Sequence, residues 1–347
     1  MNKSDNRIEY ITLASVVSAI AVVFLHVNHC FWQFSTGRYW FTANIIESVF
    51  YFAVPIFFMI SGAMLIDFNK RYGLKKYFNK RITKTVIPYI VWSFIGLAFQ
   101  IYVIQTIALK DVSLTYIING LLAGNLVQIY WFFIPLFLAY LSIPLFSAVN
   151  EDKRKEVFTY VVVLAFVLNI LLPFLISVFK WDINFSISLG IGSGALFFTL
   201  SGYLLHKYEL SRKQIWILYL LAIAGLIMHL VGTYTLSMAA GEIIKTYKGF
   251  FNLPSTLYSI GFFAFIKYDL VKIMRFNYIS KIVNFLNPYT FGIYLVHWYV
   301  IQSLVMIFNI EITSIVYRLI GPFIVILISV VIIYLIRKIP VINKIIP

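Results

Sequence analysis

His26 stands inside the first long apolar segment of the chain, in the run Val22-Val23-Phe24-Leu25-His26-Val27-Asn28-His29. Imidazole exchanges a proton near neutral pH, and an ionisable side chain at membrane depth is costly enough to be a functional candidate. Its chemistry would be that of a general base, taking a proton from a hydroxyl as the oxygen attacks an electrophile. The competing reading is a core histidine bonded to a backbone carbonyl. Glu47 is the nearest candidate partner. A helix that starts inside carries His26 roughly 24 Å above the inner boundary, and Glu47, about five residues down the returning helix, lies roughly 7 Å below the outer one. These depths nearly coincide, and consecutive segments joined by a short loop tend to be neighbours. The spacing predicts that Glu47 orients and charges the His26 imidazole. The alternative for Glu47 is a carboxylate that simply reaches the outer interface.

The elements that must position these groups follow from composition. Of 347 residues, 61% are hydrophobic and 12% charged, far from a soluble globular domain. Apolar stretches of about 20 residues, each able to cross the hydrocarbon layer as a helix, recur from end to end. The expected fold is an all-α polytopic membrane protein of ten transmembrane helices, at about 9–30, 42–66, 85–107, 129–149, 157–179, 187–206, 214–236, 252–267, 286–308 and 314–336. With both termini cytoplasmic, only Arg38, Lys110, Lys180, Lys245, Lys248 and Arg318 of the 28 cations fall outside. Residues 1–347 then form a single multi-pass domain of the plasma (inner) membrane, with no fused extracytoplasmic domain. The net charge of +15 suits anionic lipid headgroups rather than nucleic acid. The single cysteine, Cys30, excludes an internal disulfide and a cysteine-based metal site. His29, nearly one turn beyond His26, lacks a third ligand at suitable spacing, so no metal is expected. His206 and His229, near helix ends, are expected to be structural.

Residues 67–84 interleave cations with Tyr72, Leu74, Tyr77, Phe78 and Ile82, a pattern that suits an amphipathic helix in the interface. Topological anchoring explains most of these charges. Lys80, Arg81 and Lys84 sit one turn apart at the inner mouth of the third span, where they could hold the phosphates of an anionic donor. The run 151–156 reads as a solvated cytoplasmic turn. Phe57-Phe58-Met59-Ile60-Ser61-Gly62 is similar to Phe197-Phe198-Thr199-Leu200-Ser201-Gly202. Ser61 is therefore a candidate for lining a cavity, with close helix packing at the two Ser-Gly pairs as the alternative. Glu242, Lys245 and Lys248, among Tyr234, Tyr247, Phe250 and Phe251, could form a sugar platform, although boundary aromatics are ordinary.

The first span with His26, the segment Val54-Pro55-Ile56-Phe57-Phe58-Met59-Ile60-Ser61-Gly62, the basic stretch running into Pro88-Tyr89-Ile90-Val91-Trp92-Ser93, Tyr130-Trp131-Phe132-Phe133-Ile134-Pro135-Leu136 and Phe291-Gly292-Ile293-Tyr294-Leu295-Val296-His297 together resemble the acyltransferase 3 family, in order and over nearly the full length. The resemblance implies ten core helices and transfer of an acyl group, commonly acetyl, from acyl-coenzyme A to a carbohydrate destined for the cell surface. On that basis acetyl-CoA is the expected donor and a polysaccharide, glycolipid or sugar the expected acceptor. His297, mid-span with Tyr294 one turn below, is expected either to line the cavity or to pack. Two departures stand out. Many members carry Arg eleven residues before the first-span His, where this chain has Ser15, and Lys80 and Lys84 stand where the family often has two Arg. Lysine keeps the charge but not the bidentate fork. A non-enzymatic reading, an exporter of polysaccharide or lipid-linked sugar, also suits a polytopic chain with histidines and aromatics along a route. Carriers of that kind often show paired repeats or broken helices at mid-membrane.

Overall fold

A computed structural model describes residues 3–340 and 342–346. The helices, in chain order, are α1 (Lys3–Val27), α2 (Arg38–Phe50), α3 (Ala53–Leu65), α4 (Leu74–Arg81), α5 (Ile87–Tyr102), α6 (Leu114–Ala123), α7 (Phe133–Ala148), α8 (Glu151–Ala165), α9 (Leu172–Phe179), α10 (Ala195–Lys207), α11 (Arg212–Ile227), α12 (Thr233–Ala240), α13 (Leu253–Tyr268), α14 (Asn277–Leu286), α15 (Thr290–Phe308) and α16 (Ile315–Arg337). One-turn π segments join α4 to α5, α8 to α9 and α11 to α12. The side chains of Lys3, Arg7 and Lys344, counted above among the inner cations, lie outside the described set.

Among the described residues, eight helical rods are long and apolar enough to cross a membrane, which makes this a multi-pass membrane protein. The other two expected spans, 187–206 and 252–267, form helices of only 13 and 16 residues, α10 and α13. For the first, the reason is local. Residues 187–189 are not helical, Leu189 is extended, and Asn169 holds it there with two bonds, Nδ2 to Leu189 O and Leu189 N to Oδ1, both 2.9 Å. Both short helices are mostly buried by their neighbours. Two helices were not anticipated: α14, which precedes the ninth expected span, and α6, which is capped by Ser113, whose side chain accepts from Tyr116 N, and ends at Gly124 with φ 70°.

Burial grades the rods by position. The apolar windows of α1 and of α2–α3 are 72% and 67% buried, whereas those of α8–α9 and α11–α12 are 17% and 22% buried. The first two therefore form the centre and the others the lipid-facing rim. α1 touches α2, α3, α13, α15 and α16. α3 and α10 cross at the two Ser-Gly pairs noted in the sequence. A Cβ on Gly62 would stand 1.8 Å from the Thr199 carbonyl oxygen, and one on Gly202 would stand 2.2 Å from that of Met59. Only glycine lets the two backbones approach this closely.

At the basic end of the bundle the run 151–156 departs from a solvated turn, because Arg154 is 2% exposed. Its guanidinium caps the end of α7 at Ser147 O (2.5 Å) and Val149 O (2.8 Å), and pairs with Asp67 at 2.5 Å. Lys207 bridges Asp67 (3.2 Å) and Glu151 (2.8 Å), and Lys70 pairs with Glu151. Tyr77 and Phe68 of the basic segment are buried against α7, α8 and α10, so this segment docks on protein instead of only lying in the interface. Asp67→Asn strands the buried guanidinium without its carboxylate. A loss of about 2 kcal/mol or more is expected, below the full buried-pair range because Asp67 keeps 27% side-chain exposure. Thermal unfolding of the purified variant in detergent checks this, and an unshifted midpoint would remove the clamp from the stability account.

Candidate active site

α1 ends at Val27, so His26 occupies its last turn. The chain then tightens into the 3-10 turn His29–Trp32, held by Asn28 Nδ2 to Ala43 O (2.8 Å) and Trp40 Nε1 to Phe31 O (2.9 Å). Arg318 of α16 is buried and ties the same region together, donating to Tyr39 O (3.2 Å), Thr42 Oγ1 (2.9 Å) and Thr313 O (3.0 Å). This fixed corner places His26 in the wall of a cavity of about 350 Å³. The same cavity is lined by Glu47 of α2, Gln128 and Trp131 before α7, Phe250 before α13, and Tyr294 and Gln302 of α15.

His297 stands beside His26. Their ring centroids are 5.1 Å apart with the planes at 41°. The His297 ring is fully buried, and its Nδ1 lies 2.9 Å from Ile293 O. A carbonyl oxygen only accepts, so Nδ1 carries the proton and Nε2 of the neutral ring holds the lone pair. Nε2 has no hydrogen-bond partner. Tyr294 is 5.9 Å from His297, ring to ring, and its hydroxyl donates to Ile129 O at 2.5 Å. Tyr294 thus lines the cavity with its ring while its hydroxyl pins the segment that carries Gln128 and Trp131.

Glu47 shares the cavity with His26, as the equal depths predicted, but its partner is another residue. Lys248 Nζ donates to Glu47 Oε1 at 2.8 Å, with side-chain exposures of 1% and 5%. The ammonium also lies 3.9 Å from the centroid of Tyr51, 4.5 Å from that of Phe31 and 5.1 Å from that of Trp32. Burial pulls the lysine pKa down, and the Glu47 carboxylate opposes that pull. The expected Glu47–His26 pair is therefore replaced by Glu47–Lys248, because the loop between α12 and α13 folds inward and delivers a stronger partner. Within that loop the sugar-platform residues separate. Phe250 faces the cavity and stacks on Tyr51 (4.1 Å, 6°) and Trp131 (5.3 Å, 24°), whereas Lys245 and Glu242 stay exposed.

The remaining candidates stand apart from this cavity. Ser61 donates to Phe57 O at 2.9 Å and belongs to the α3–α10 crossing. Lys80, Arg81 and Lys84 lie at the basic end. Lys80 Nζ is 4.2 Å from the Tyr72 centroid, Arg81 is 5.3 Å from that of Tyr140, and Lys84 is exposed in the π turn Ile82–Val86. An aromatic wall fills the interval. Tyr294 packs on Phe133 (5.4 Å), and Phe133 packs on Tyr89 (4.8 Å), one turn beyond Lys84. Ser15, at the position of the family arginine, donates to Thr290 Oγ1 at 3.3 Å.

No curated protein and no solved structure matches this chain in sequence or fold comparison. A family model does, the acyltransferase domain of acyltransferase 3, over residues 8–336. That match spans His26, Glu47, the basic segment, Lys248 and the Tyr294–His297 turn alike, and the chain belongs to the acyltransferase 3 family.

Proposed function

We propose that this protein is a membrane O-acyltransferase that moves an acyl group, acetyl in the simplest case, from acyl-coenzyme A to a hydroxyl of a cell-surface carbohydrate. The observation that carries the reading is that His26, backed by the buried ring of His297, lines a cavity whose walls also hold aromatic and aliphatic side chains, two glutamines and the Glu47 carboxylate. Sugars bind by stacking apolar ring faces on aromatics while their hydroxyls take hydrogen bonds. The ladder Trp131–Phe250–Tyr51 with Gln128, Gln302 and Glu47 provides both.

In the proposed reaction His26 takes the proton of the acceptor hydroxyl as its oxygen attacks the thioester carbonyl. The C–O bond forms, the C–S bond breaks, and the proton passes from His26 to the departing thiolate, leaving ester and free thiol. His297 fills the place first assigned to Glu47. Its ring packs 5.1 Å from that of His26, centroid to centroid, and its unpartnered Nε2 is proposed as the acceptor that steadies the imidazolium while that proton is held. Lys80, Arg81 and Lys84 are proposed to hold the donor phosphates on the cytoplasmic side. The thioester then reaches His26 only as the wall of Tyr89, Phe133 and Tyr294 moves aside.

Purified protein supplied with acetyl-CoA and de-esterified surface glycan from cells lacking this chain tests the proposal. Free thiol is expected to accumulate with a matching amount of glycan ester. Thiol release without ester, or neither product, would contradict it.

A further inference from the structure

Glu47 has one more buried oxygen than its ion pair uses. Oε1 accepts from Lys248, while Oε2 is buried without a hydrogen-bond partner on a residue that lines the His26 cavity. A buried carboxylate oxygen without a donor bears its full desolvation cost, so the site is built for a donor that arrives from the cavity. Lys248 cannot be that donor. One of its three N–H groups serves Oε1, and the rest of the ammonium is enclosed by the rings of Tyr51, Phe31 and Trp32.

The incoming donor is best neutral. The Glu47–Lys248 pair is already balanced in charge, and a second cation would enter an apolar cavity with no counter-charge left. A hydroxyl fits. Tyr51 connects this point to the stacking ladder, since its face meets both Lys248 and Phe250. Tyr51, Trp131, Phe250 and Glu47 line one cavity, so a sugar held against its aromatic walls has its hydroxyls in the space that Glu47 borders.

Resting on the carbohydrate reading above, we infer that Glu47 Oε2 accepts a hydrogen bond from an acceptor hydroxyl other than the one His26 deprotonates. Glu47 thereby selects which hydroxyl meets the base. Lys248 is the positioning residue that holds the carboxylate in place through its bond to Oε1.

The test uses purified wild type, Glu47→Gln, Lys248→Met and the Glu47→Gln/Lys248→Met pair, each titrated with de-esterified surface glycan at saturating acetyl-CoA. Ring positions of the product ester are read by NMR. Glu47→Gln replaces a charge-assisted bond by a neutral one, so acceptor KM is expected to rise about tenfold while donor KM moves less than about threefold. The ester is expected to spread to additional ring positions. Lys248→Met strands a buried carboxylate and is expected to cut the yield of folded protein; the paired variant, neutral at both positions, restores yield but keeps the raised acceptor KM. A paired variant with wild-type acceptor KM, or a Glu47→Gln that lowers kcat alone with ester positions unchanged, overturns the assignment. No ester from wild type removes the acyl-transfer reading and this assignment with it. Ester formation with an unmoved KM removes the assignment alone.

Discussion

His26→Ala is expected to lower acyl transfer per molecule by roughly a hundredfold or more, the size of a lost general base, with the protein still present in the membrane. Two features separate this from a packing defect. His26 lines a cavity, so truncation enlarges existing space rather than opening a void in a close-packed core. The corner that carries it is held by Asn28, Trp40 and Arg318, none of which bonds to the imidazole. Turnover must be normalised to folded protein, by size-exclusion profile and membrane level. A variant of normal turnover and reduced abundance would return His26 to the reading of a core histidine.

The second large effect belongs to the fold. Gly62→Ala is expected to cost about 3 kcal/mol or more, and Gly202→Ala to behave alike. The new methyl at 62 would meet Thr199 backbone at 1.8 Å (O) and 2.6 Å (C), and that at 202 would meet Met59 backbone at 2.2 Å (O) and 2.3 Å (Cα). Backbone atoms of packed helices have no rotamer into which to retreat. α3 and α10 must therefore part along the seam that holds the centre of the bundle. Gly190→Ala is the matched control, with nothing within 4 Å of its added Cβ, and should stay within about 0.5 kcal/mol of wild type. Detergent-extracted melting profiles of the three variants decide the point. Wild-type melting of Gly62→Ala would show that the two helices part without cost and would overturn this reading of the crossing.

Much of this architecture is legible in the sequence because hydropathy and rise per residue are local quantities. An imidazole in an apolar run marked His26, and counting residues from each boundary put Glu47 at its depth. The Ser61-Gly62 and Ser201-Gly202 pairs, similar in sequence, turned out to be the two sides of one crossing. What escaped is pairing across distance. Lys248 lies 201 residues from Glu47, and nothing near either residue announces that a polar loop folds inward to bury its lysine. Hydropathy also misplaced 187–189, since an apolar run scores alike as helix or as extended chain held by Asn169. The helix α6 had readable caps in Ser113 and Gly124, but it sat between spans where no helix was sought.

This chain is proposed to place acyl esters on a carbohydrate through His26. Mass spectrometry of surface glycans from cells expressing wild type, His26→Ala at a matched membrane level, or neither tests it most directly. An added ester mass is expected with wild type only, about 42 Da for acetyl, the net gain of two carbons, two hydrogens and one oxygen. Equal ester content in all three, with glycan export altered by wild type, would contradict it and favour the exporter.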